Sequence, residues 1–307
     1  MEQQNQGTDQ RFRVAGLGEV LWDLLPGGKQ LGGAPSNFAF HAQALGAESV
    51  IVSAAGSDPL GEELLETLVS RGLSDEYIAV EESLPTGTVD VRLDPQGKPE
   101  FVIHENVAWD SIRLTGPLQE LARGLSAVCF GTLAQRSSIS RSTIRDMLRA
   151  TPPACLRVFD VNLRQGFYSR DILRESLALS SCLKLNEEEL PEVARLLSVE
   201  GTEREILQGL LDRFNLQMIA LTRGENGSLL FTGTESSEVE PPRIEVADTV
   251  GAGDAFSAAL TVGLLQNLPL EVINRRAAAL AGYVCTREGA MPEVPEHLRS
   301  LWRETRQ

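Results

Sequence analysis

The chain has 307 residues, of which 42% are hydrophobic and 5% aromatic, a composition typical of a soluble globular protein. Its 28 Lys and Arg residues against 43 Asp and Glu residues give a formal net charge of −15. A general nucleic-acid or anionic-membrane binder carries a basic surface, so we expect no nucleic-acid and no membrane partner.

The N-terminal segment is polar and lacks the apolar core of a signal peptide, and no apolar run reaches the length of about eighteen residues that a membrane span needs. The cysteines form no CxxC pair and no Cys/His ligand pattern, which favours buried free thiols and a reducing, cytoplasmic location. They are Cys129, Cys155, Cys182 and Cys285.

Short apolar runs alternate with amphipathic segments from the N-terminus onward. The first run predicts a strand in "RFRVAGLGEV", and a helix follows in "SNFAFHAQALG", ending at Gly46. A second strand is predicted in "SVIVSAAG". The next helix, "DPLGEELLETLVSRGL", has Asp58 as its cap and Pro59 in its first turn.

The same alternation continues through the second half of the chain. Buried strands are predicted in "SAVCFGTL", "LRVFDVNL", "CLKLN" and "QMIALTRG". Helical patterns follow in "SISRSTIRDMLRA", "RDILRESLALS", "EEELPEVARLL" and "EREILQGLLDRF". Repeated βα units predict an α/β fold, a three-layer sandwich with a mostly parallel central sheet and helices on both faces.

Two segments interrupt this alternation with hairpin patterns, residues 19–30 and residues 84–108. The first turns at "PGG", and the second turns at "DPQGKP" between two alternating strands. Inserted into an α/β frame, they predict a small sheet that acts as a lid. We therefore expect one core domain over residues 11–305 with these two lid insertions.

The segment "DTVGAGDAFSAAL" places three small residues directly before a carboxylate at the start of a helix. The amides of Gly251, Ala252, Gly253 and Asp254 would point outward together at the positive helix end, an arrangement that binds anions. Asp254 could accept a proton from a hydroxyl while these amides hold a neighbouring negative group. A glycine-rich turn with Asp254 as a simple cap explains the stretch equally well.

The segment "LGGAPSNFAFHAQALG" places Gly32 and Gly33 before a helix expected to begin near Pro35 or Ser36. Asn37 would face outward in its first turn. An amide side chain beside glycine amides suits an uncharged polyol, while an ordinary tight turn before a proline-initiated helix explains the same residues.

Two predicted strands end in polar clusters. The string "FDVNLR" places Asp160, Asn162 and Arg164 just past a hydrophobic strand, at the carboxyl edge where open α/β sheets bind ligands. The Arg164 guanidinium could clamp a phosphate, and a salt-bridged strand end is the alternative.

The string "LKLNEEEL" places Lys184, Asn186 and Glu189 at the next junction between strand and helix. Asn186 and Glu189 fit a helix cap and capping box, and they also fit holders of a water-coordinated magnesium ion; the two interpretations are compatible. The string "LTRGENGSLLF" reads as a hairpin and is only weak evidence for the wall of a nucleotide site.

Several alternatives lack their residues. The chain has no GxxxxGK[ST] of a P-loop and no GxSxG, and its only histidines, His41, His104 and His297, are too scattered for a zinc site or a catalytic triad.

Taken together, the motifs resemble those of the ribokinase-like (PfkB) family of carbohydrate kinases, and the resemblance runs from about Phe12 to Leu301. The N-terminal signature reads "GGAPSNFA" and the C-terminal one "DTVGAGDAFSAALT". The "DxNxR", "NxxE" and "TRGENG" motifs lie between them in the expected order. The resemblance implies a ribokinase-like sandwich and phosphoryl transfer from ATP, with Mg²⁺, to a sugar hydroxyl.

The resemblance also implies residue roles. Asp254 is the expected base, the amides of Gly251, Ala252 and Gly253 the anion hole, and Arg164 a phosphate contact. Sugar contacts are expected from Asp23, Gly32, Gly33, Asn37, Trp109, Asn162 and Asp254. Nucleotide contacts are expected from Lys184, Asn186, Thr222, Gly224, Gly227, Gly253 and Ala278. Glu189 would hold magnesium through water. Asp248, Val250, Val284 and Gly289 stand where many relatives bind a monovalent cation, with K⁺ as the candidate.

The acceptor is less specified than the reaction. Segments such as "GEVLWDLLPGG" and "ENVAWDSI" are similar to bacterial fructokinases and favour fructose, with ribose and 2-keto-3-deoxygluconate as alternatives. Trp22 and Trp109 could present rings to the sugar or simply pack the lid. A non-catalytic relative is a further alternative, although the base and anion hole are present. An exposed lid edge favours a homodimer.

Overall fold

A computed structural model of the chain describes residues 12–25, 27–93 and 99–303, with the side chains of residues 91–93, 99–101 and 303 excepted. The predicted domain limits at 11 and 305 and most of the predicted "DPQGKP" turn lie outside these ranges. The strands are β1 (Arg13–Leu17), β2 (Leu21–Leu25), β3 (Gly28–Gly32), β4 (Glu48–Gly56), β5 (Ile78–Glu81), β6 (Thr88–Leu93), β7 (Pro99–Ile103), β8 (Ala127–Phe130), β9 (Leu156–Asp160), β10 (Cys182–Asn186), β11 (Met218–Thr222), β12 (Ser228–Phe231) and β13 (Ser236–Val239).

The helices alternate with these strands, as the sequence predicts. They are α1 (Ala34–Ala44), α2 (Pro59–Ser70), α3 (Gly116–Arg123), α4 (Ser138–Ala150), α5 (Arg170–Leu179), α6 (Glu189–Leu197), α7 (Glu203–Phe214), α8 (Ala252–Leu265), α9 (Leu270–Cys285) and α10 (Glu296–Arg303). Asp58 caps α2 by accepting a 2.8 Å hydrogen bond from the amide of Gly61. Helix α1 begins one to two residues earlier than expected, with Gly33 as its cap.

Within the described residues, nine strands form the central sheet in the order β13-β12-β11-β10-β9-β8-β1-β4-β5. The pairs from β11 through β5 are parallel, and β12 and β13 add an antiparallel edge. The "LTRGENGSLLF" segment forms the predicted hairpin, because β11 pairs with β12 in antiparallel register.

Helices cover both faces of the sheet, and successive strand residues point to opposite faces. Val14 and Cys182 pack with α1, α8, α9 and α10, while their neighbours Ala15 and Leu183 pack with α3 to α7. These two clusters are the core of an α/β sandwich, which confirms the predicted fold class. The central strands appear in the sequence as continuous apolar runs because each of them is buried on both faces.

A second sheet of four described strands, in the order β3-β2-β6-β7, stands apart from the central sheet. The two insertions each form an antiparallel pair, and β2 and β6 join them in parallel. This is the small lid sheet that the hairpin patterns predict. No described helix has the length and apolar character required to span a membrane.

Candidate active site

A cleft of about 1810 Å³ lies at the carboxyl edge of the parallel strands, bounded on one side by the lid. The strand order explains its position, because polar residues that follow β1, β9, β10 and β11 all reach the same edge. Among the residues expected from the sequence, its lining contains Asp23, Gly33, Asn37, Asn162, Arg164, Lys184, Asn186, Glu189, Thr222, Gly224, Gly227, Asp248, Val250, Gly251, Ala252, Gly253, Asp254 and Ala278.

Helix α8 begins at this cleft with Gly251 as its cap. Gly251 has a φ of 78°, in the left-handed region that side chains rarely adopt. A Cβ at this position would lie 2.6 Å from the Cα of Ala290, so the neighbouring loop also requires glycine. The small residues therefore let the helix start in a crowded place and leave its first amides at the cleft, as an anion site needs.

Asp254 lies in the first turn of α8 and is partly buried. Its Oδ2 accepts a 2.8 Å hydrogen bond from Nδ2 of Asn37, in the first turn of α1. Burial, reinforced by the negative charge of Asp160, raises the pKa of Asp254 to about 7, against the opposing effects of Asn37, Lys184 and Arg164. A carboxylate with that pKa is suited to general-base chemistry near neutral pH.

A buried ion pair lies beneath α8. Lys184 Nζ donates to Asp160 Oδ1 at 3.0 Å, and Ser257 Oγ donates to Asp160 Oδ2 at 2.8 Å. Burial lowers the pKa of Lys184, but the charges of Asp160, Glu189 and Asp254 outweigh this effect and raise it. The ammonium lies close to Gly253, where a Cβ would approach Nζ to 2.9 Å. It therefore adds positive charge directly under the first turn of α8.

One end of the cleft is formed by the lid and by α1. Asp23 on β2 lies against Gly32 of β3, where a Cβ would be only 2.4 Å from Oδ2 of Asp23. Burial raises the pKa of Asp23 to about 6, and Arg164 opposes this shift. Gly33, with a φ of 104°, caps α1 beside them. Asp23, Gly33 and Asn37 thus come together as expected.

Glu189 joins two loops through both of its carboxylate oxygens. Oε1 accepts from the amide of Leu163 at 2.9 Å and Oε2 accepts from the amide of Asn186 at 2.8 Å. Asn186 Oδ1 accepts in return from the amide of Glu189 at 2.8 Å. Asn186 and Glu189 therefore form the reciprocal hydrogen bonds of a capping box. Through its bond to Leu163, Glu189 also holds the loop that carries Asn162 against the end of β10.

No cluster of three His, Cys, Asp or Glu side chains that could hold a metal occurs in the described ranges. Magnesium commonly keeps several waters and binds through one or two carboxylates together with substrate phosphates. Glu189 fits that pattern, since it is buried at the cleft beside the expected phosphate contacts. Contact between Glu189 and a magnesium ion through water stays a prediction.

The opposite end of the cleft is formed by the β11–β12 hairpin, α9 and the loop before α8. Thr222, Gly224 and Gly227 border it from the β11–β12 hairpin, and Ala278 borders it from α9. The sequence interpretation missed the loop before α8 on this side, including Pro242, Ile244 and Val246. The string "PPRIEV" could have indicated this part of the cleft, because it has two adjacent prolines, which favour a loop, followed by Ile244 and Val246, which the structure shows to be exposed.

Two loops meet beside the start of α8, where the monovalent cation is expected. Asp248 Oδ1 accepts from the amide of Val250, and Asp248 Oδ2 accepts from the amide of Gly289, each at 3.0 Å. The carbonyl of Val284 accepts from the amide of Arg287 at 3.0 Å and continues the turn that ends α9. The residues are neighbours, and cation binding there stays a prediction.

The structure does not bring Trp109 to the cleft. Its side chain is 1% exposed and lies in the core, with the Arg136 guanidinium 3.9 Å from the ring centroid. Trp22 is likewise buried, and its indole N–H donates to the carbonyl of Leu60 at 2.9 Å. Both tryptophans therefore pack the lid and the layer beneath it, which is the alternative that the sequence left open.

Cys129, Cys155 and Cys182 are buried free thiols, as expected. Cys285 is only partly buried and borders the cleft, a placement that its apolar surroundings in the sequence did not indicate.

Fold and site together define a class of protein. A mostly parallel α/β sandwich with a small lid, and a helix N-terminus and carboxylate at the strand ends, is the ribokinase-like arrangement. Residues 26–297 match the sequence profile of the pfkB family of carbohydrate kinases. The chain belongs to this family.

Two similar proteins support the assignment of the chain to this family. An uncharacterized sugar kinase of Pyrococcus horikoshii is 30% identical over 296 residues, which cover 90% of this chain and 91% of the relative. A fructokinase of Klebsiella pneumoniae is 31% identical over 300 residues, covering 91% of this chain and 95% of the relative.

Solved structures agree as well. The P. horikoshii kinase in complex with ATP has a TM-score of 0.78 at 27% identity, covering 96% of this chain and 99% of that one. A fructokinase of Xylella fastidiosa with bound ATP has a TM-score of 0.82 at 23% identity, with coverages of 96% and 99%. The chain is thus a sugar kinase, a phosphotransferase with an alcohol acceptor.

Proposed function

We propose that this sugar kinase transfers the γ-phosphoryl group of MgATP to fructose and forms fructose 6-phosphate. The observation that carries the proposal is the position of Asp254, which lies in the amide-rich first turn of α8 and is held by Asn37. ATP is supported as the donor by its presence in the P. horikoshii and X. fastidiosa structures, and fructose by the Klebsiella relative.

The proposed reaction uses few groups. Asp254 takes the proton of the acceptor hydroxyl as its oxygen forms a bond to the γ-phosphorus, and the bond from that phosphorus to the β,γ-bridging oxygen breaks to release ADP. The amides of Gly251, Ala252 and Gly253 would stabilise the negative charge that grows on the transferred group. Lys184 beneath them and Arg164 across the cleft add positive charge. Magnesium, bound with the nucleotide, would neutralise phosphate charge.

Lining residues support the assignment of the two ends of the cleft. Asp23, Asn37 and Gly33 offer hydrogen-bonding groups to a polyol, whereas Pro242, Ile244 and Ala278 offer an apolar surface for an adenine base. The lid would exclude water from the phosphoryl group during transfer. A monovalent cation beside Asp248, a homodimer formed through the lid and a cytoplasmic location remain part of the proposal.

The first test is ADP release from MgATP against fructose, ribose, glucose, mannose, tagatose and 2-keto-3-deoxygluconate, with EDTA as the metal-free control. Strong turnover of fructose supports the whole proposal, and strong turnover of another sugar replaces the acceptor alone. Repeating the assay in K⁺ and in Na⁺ buffers tests the cation.

Asp254→Asn is the matched variant, because it keeps the shape of the side chain and removes the base. Turnover should fall by about 100-fold or more while sugar and nucleotide binding, measured by calorimetry, persist. Turnover at the wild-type rate would remove Asp254 from the role of base. Binding of sugar and nucleotide by the wild-type protein with no turnover would favour the non-catalytic alternative.

A further inference from the structure

Glu19 is a buried carboxyl group at the cleft that the sequence motifs do not single out. It follows β1, is 3% exposed, and is among the residues that line the cleft. Its position in the string "GLGEVLWD" places it four residues before Asp23, on the connection from the central sheet into the lid.

One side of this carboxyl group is held by main-chain amides at the start of α1. The amides of Glu19 itself and of Ala34 donate to it. The connection also passes directly against Gly33, where a Cβ would lie 2.5 Å from the carbonyl oxygen of Glu19. A carboxylate is favoured at the N-terminus of a helix, so these contacts explain why the group is fixed there.

The other side is unexplained by the fold. Oε2 of Glu19 is buried and has no hydrogen-bond partner among the described residues. Leaving a buried carboxyl oxygen without a partner is costly, and buried polar groups in proteins nearly always have one. Capping α1 needs a single oxygen, so the cap alone does not account for the second.

The surroundings of Glu19 are those of the proposed acceptor site. Asp254 and Arg164 are the charged groups that act on it most strongly, and Asp254 is held by Asn37 in the first turn of α1, whose Ala34 amide donates to Glu19. The N-termini of α1 and α8 thus each present a carboxyl group to the same cleft. Burial, and to a lesser extent the charge of Asp254, raises the pKa of Glu19 to about 7.

We propose that Glu19 is an acceptor-binding residue whose Oε2 hydrogen-bonds a sugar hydroxyl other than the one that Asp254 deprotonates. The inference rests on the proposed sugar kinase reaction and adds a contact that orients the acceptor. A second fixed contact holds the reacting hydroxyl between Asp254 and the start of α8, which is the geometry that phosphoryl transfer needs. A sugar lacking that hydroxyl would leave Oε2 unpartnered again and would bind less well.

The test measures KM for sugar and for ATP, together with kcat, in Glu19→Gln and Glu19→Met, using the best acceptor of the sugar panel. Gln keeps the size of the side chain and can still accept the Ala34 amide, but it presents an amide N–H where the sugar meets Oε2. Glu120→Gln is the matched control, because Glu120 is exposed on α3, away from the cleft, and pairs with Arg123 three residues later. Thermal melts of all three variants report whether the fold is retained.

We expect the KM for sugar to rise about 10- to 100-fold in Glu19→Gln and at least as much in Glu19→Met, with the KM for ATP within about twofold of wild type. Monodeoxy forms of the acceptor (1-, 3- and 4-deoxyfructose if fructose is the acceptor) identify the hydroxyl. With the wild-type protein, one deoxy sugar should have a KM raised by about the same factor as the Glu19→Gln substitution causes. With the Gln variant, removing that hydroxyl should raise KM little further, because the contact is already gone.

Outcomes separate the two proposals. A wild-type protein that turns over no sugar of the panel overturns the proposed function, and this inference with it. Normal wild-type turnover with an unchanged KM for sugar in both Glu19 variants overturns the inference alone. If the variants melt at a lower temperature but keep the wild-type KM values, and each deoxy sugar raises KM equally in wild type and variants, then Glu19 only stabilises the start of α1 and the inference is overturned.

Discussion

Asn37 donates a 2.8 Å hydrogen bond from Nδ2 to Oδ2 of Asp254, although 217 positions separate the two residues in the sequence. Each lies in the first turn of its helix, Asn37 in α1 and Asp254 in α8. The bond therefore fixes the carboxylate relative to the amides of α8 and connects the two halves of the chain at the cleft. The orientation and the pKa of the Asp254 carboxylate depend on this contact and on the charges around it.

The pH dependence of activity should follow the protonation of Asp254. Burial, with Asp160 next, raises its pKa to about 7, and only the deprotonated form can accept the hydroxyl proton. We expect kcat/KM to fall about tenfold for each pH unit below that value and to level off above it. Initial rates at subsaturating sugar between pH 5 and 9 measure the profile. A flat profile from pH 5 to 7 would contradict the assignment.

Two variants should move that profile in opposite directions. Asp160→Asn removes the negative charge that raises the pKa of Asp254, while its amide can still bond to Lys184 and Ser257, so the midpoint should move to lower pH. Asn37→Ala removes a bond that lowers the pKa of Asp254, so the midpoint should move to higher pH. Both profiles are measured as for wild type. Shifts in the same direction would show that Asp254 does not govern the profile.

Much of the fold could be predicted because local patterns and tertiary structure agree. The βα alternation, the Asp58 cap and the β11–β12 hairpin each follow from residues that are close in sequence. Buried parallel strands read as short apolar runs, and the strand ends then place polar residues at one edge.

Contacts between segments that are distant in the sequence could not be predicted. Trp109 illustrates the difficulty, since an aromatic residue just after a lid segment suits either a sugar ring or a packed core. Only its burial in the folded protein, against Arg136, decides between them. Glu19 was missed because a single Glu between two strands has no pattern. Its significance comes from burial and from the position of α1, neither of which is visible in the string "GLGEVL".

Gly251→Ala should damage the site and the fold together. The φ of 78° strains any side chain, and the added Cβ would meet backbone atoms of Ala290 at 2.6 Å and 2.7 Å, where no flexible side chain can move aside. We expect a loss of about 2 kcal/mol or more in the free energy of unfolding, measured by denaturant titration, and a fall in kcat as the start of α8 shifts.

The matched control for Gly251→Ala is Gly116→Ala. Gly116 begins α3, away from the cleft, and a Cβ there would have no atom within 4 Å. This variant should change the free energy of unfolding by less than about 1 kcal/mol. If both substitutions change the free energy of unfolding equally, the close packing of Ala290 against Gly251 does not determine the cost of a side chain at position 251.

His41 should make stability depend on pH in the acid range. Its ring is 0% exposed, one turn after Asn37 in α1, and Nε2 lies 2.9 Å from the carbonyl oxygen of Ala290, the residue packed against Gly251. Burial lowers the pKa of His41 to about 4 from 6.5, so the folded protein holds the neutral ring while the unfolded chain binds a proton. Stability from the neutral ring is therefore fully present above pH 6.5 and is lost as the pH falls toward 4. Between pH 7 and pH 5 this amounts to about 2 kcal/mol in the free energy of unfolding.

His41→Gln isolates this contribution, because Gln can donate to the same carbonyl and does not titrate. Glu19, Asp23 and Asp254 also titrate in this range, and their raised pKa values act in the opposite direction, but they are present in both proteins and cancel in the difference. Denaturant titrations of wild type and variant at pH 7 and pH 5 should show that wild type loses about 2 kcal/mol more than the variant on acidification. Equal losses would mean that the folded protein accommodates the protonated ring, and that the contact between α1 and the Ala290 loop does not require a neutral imidazole.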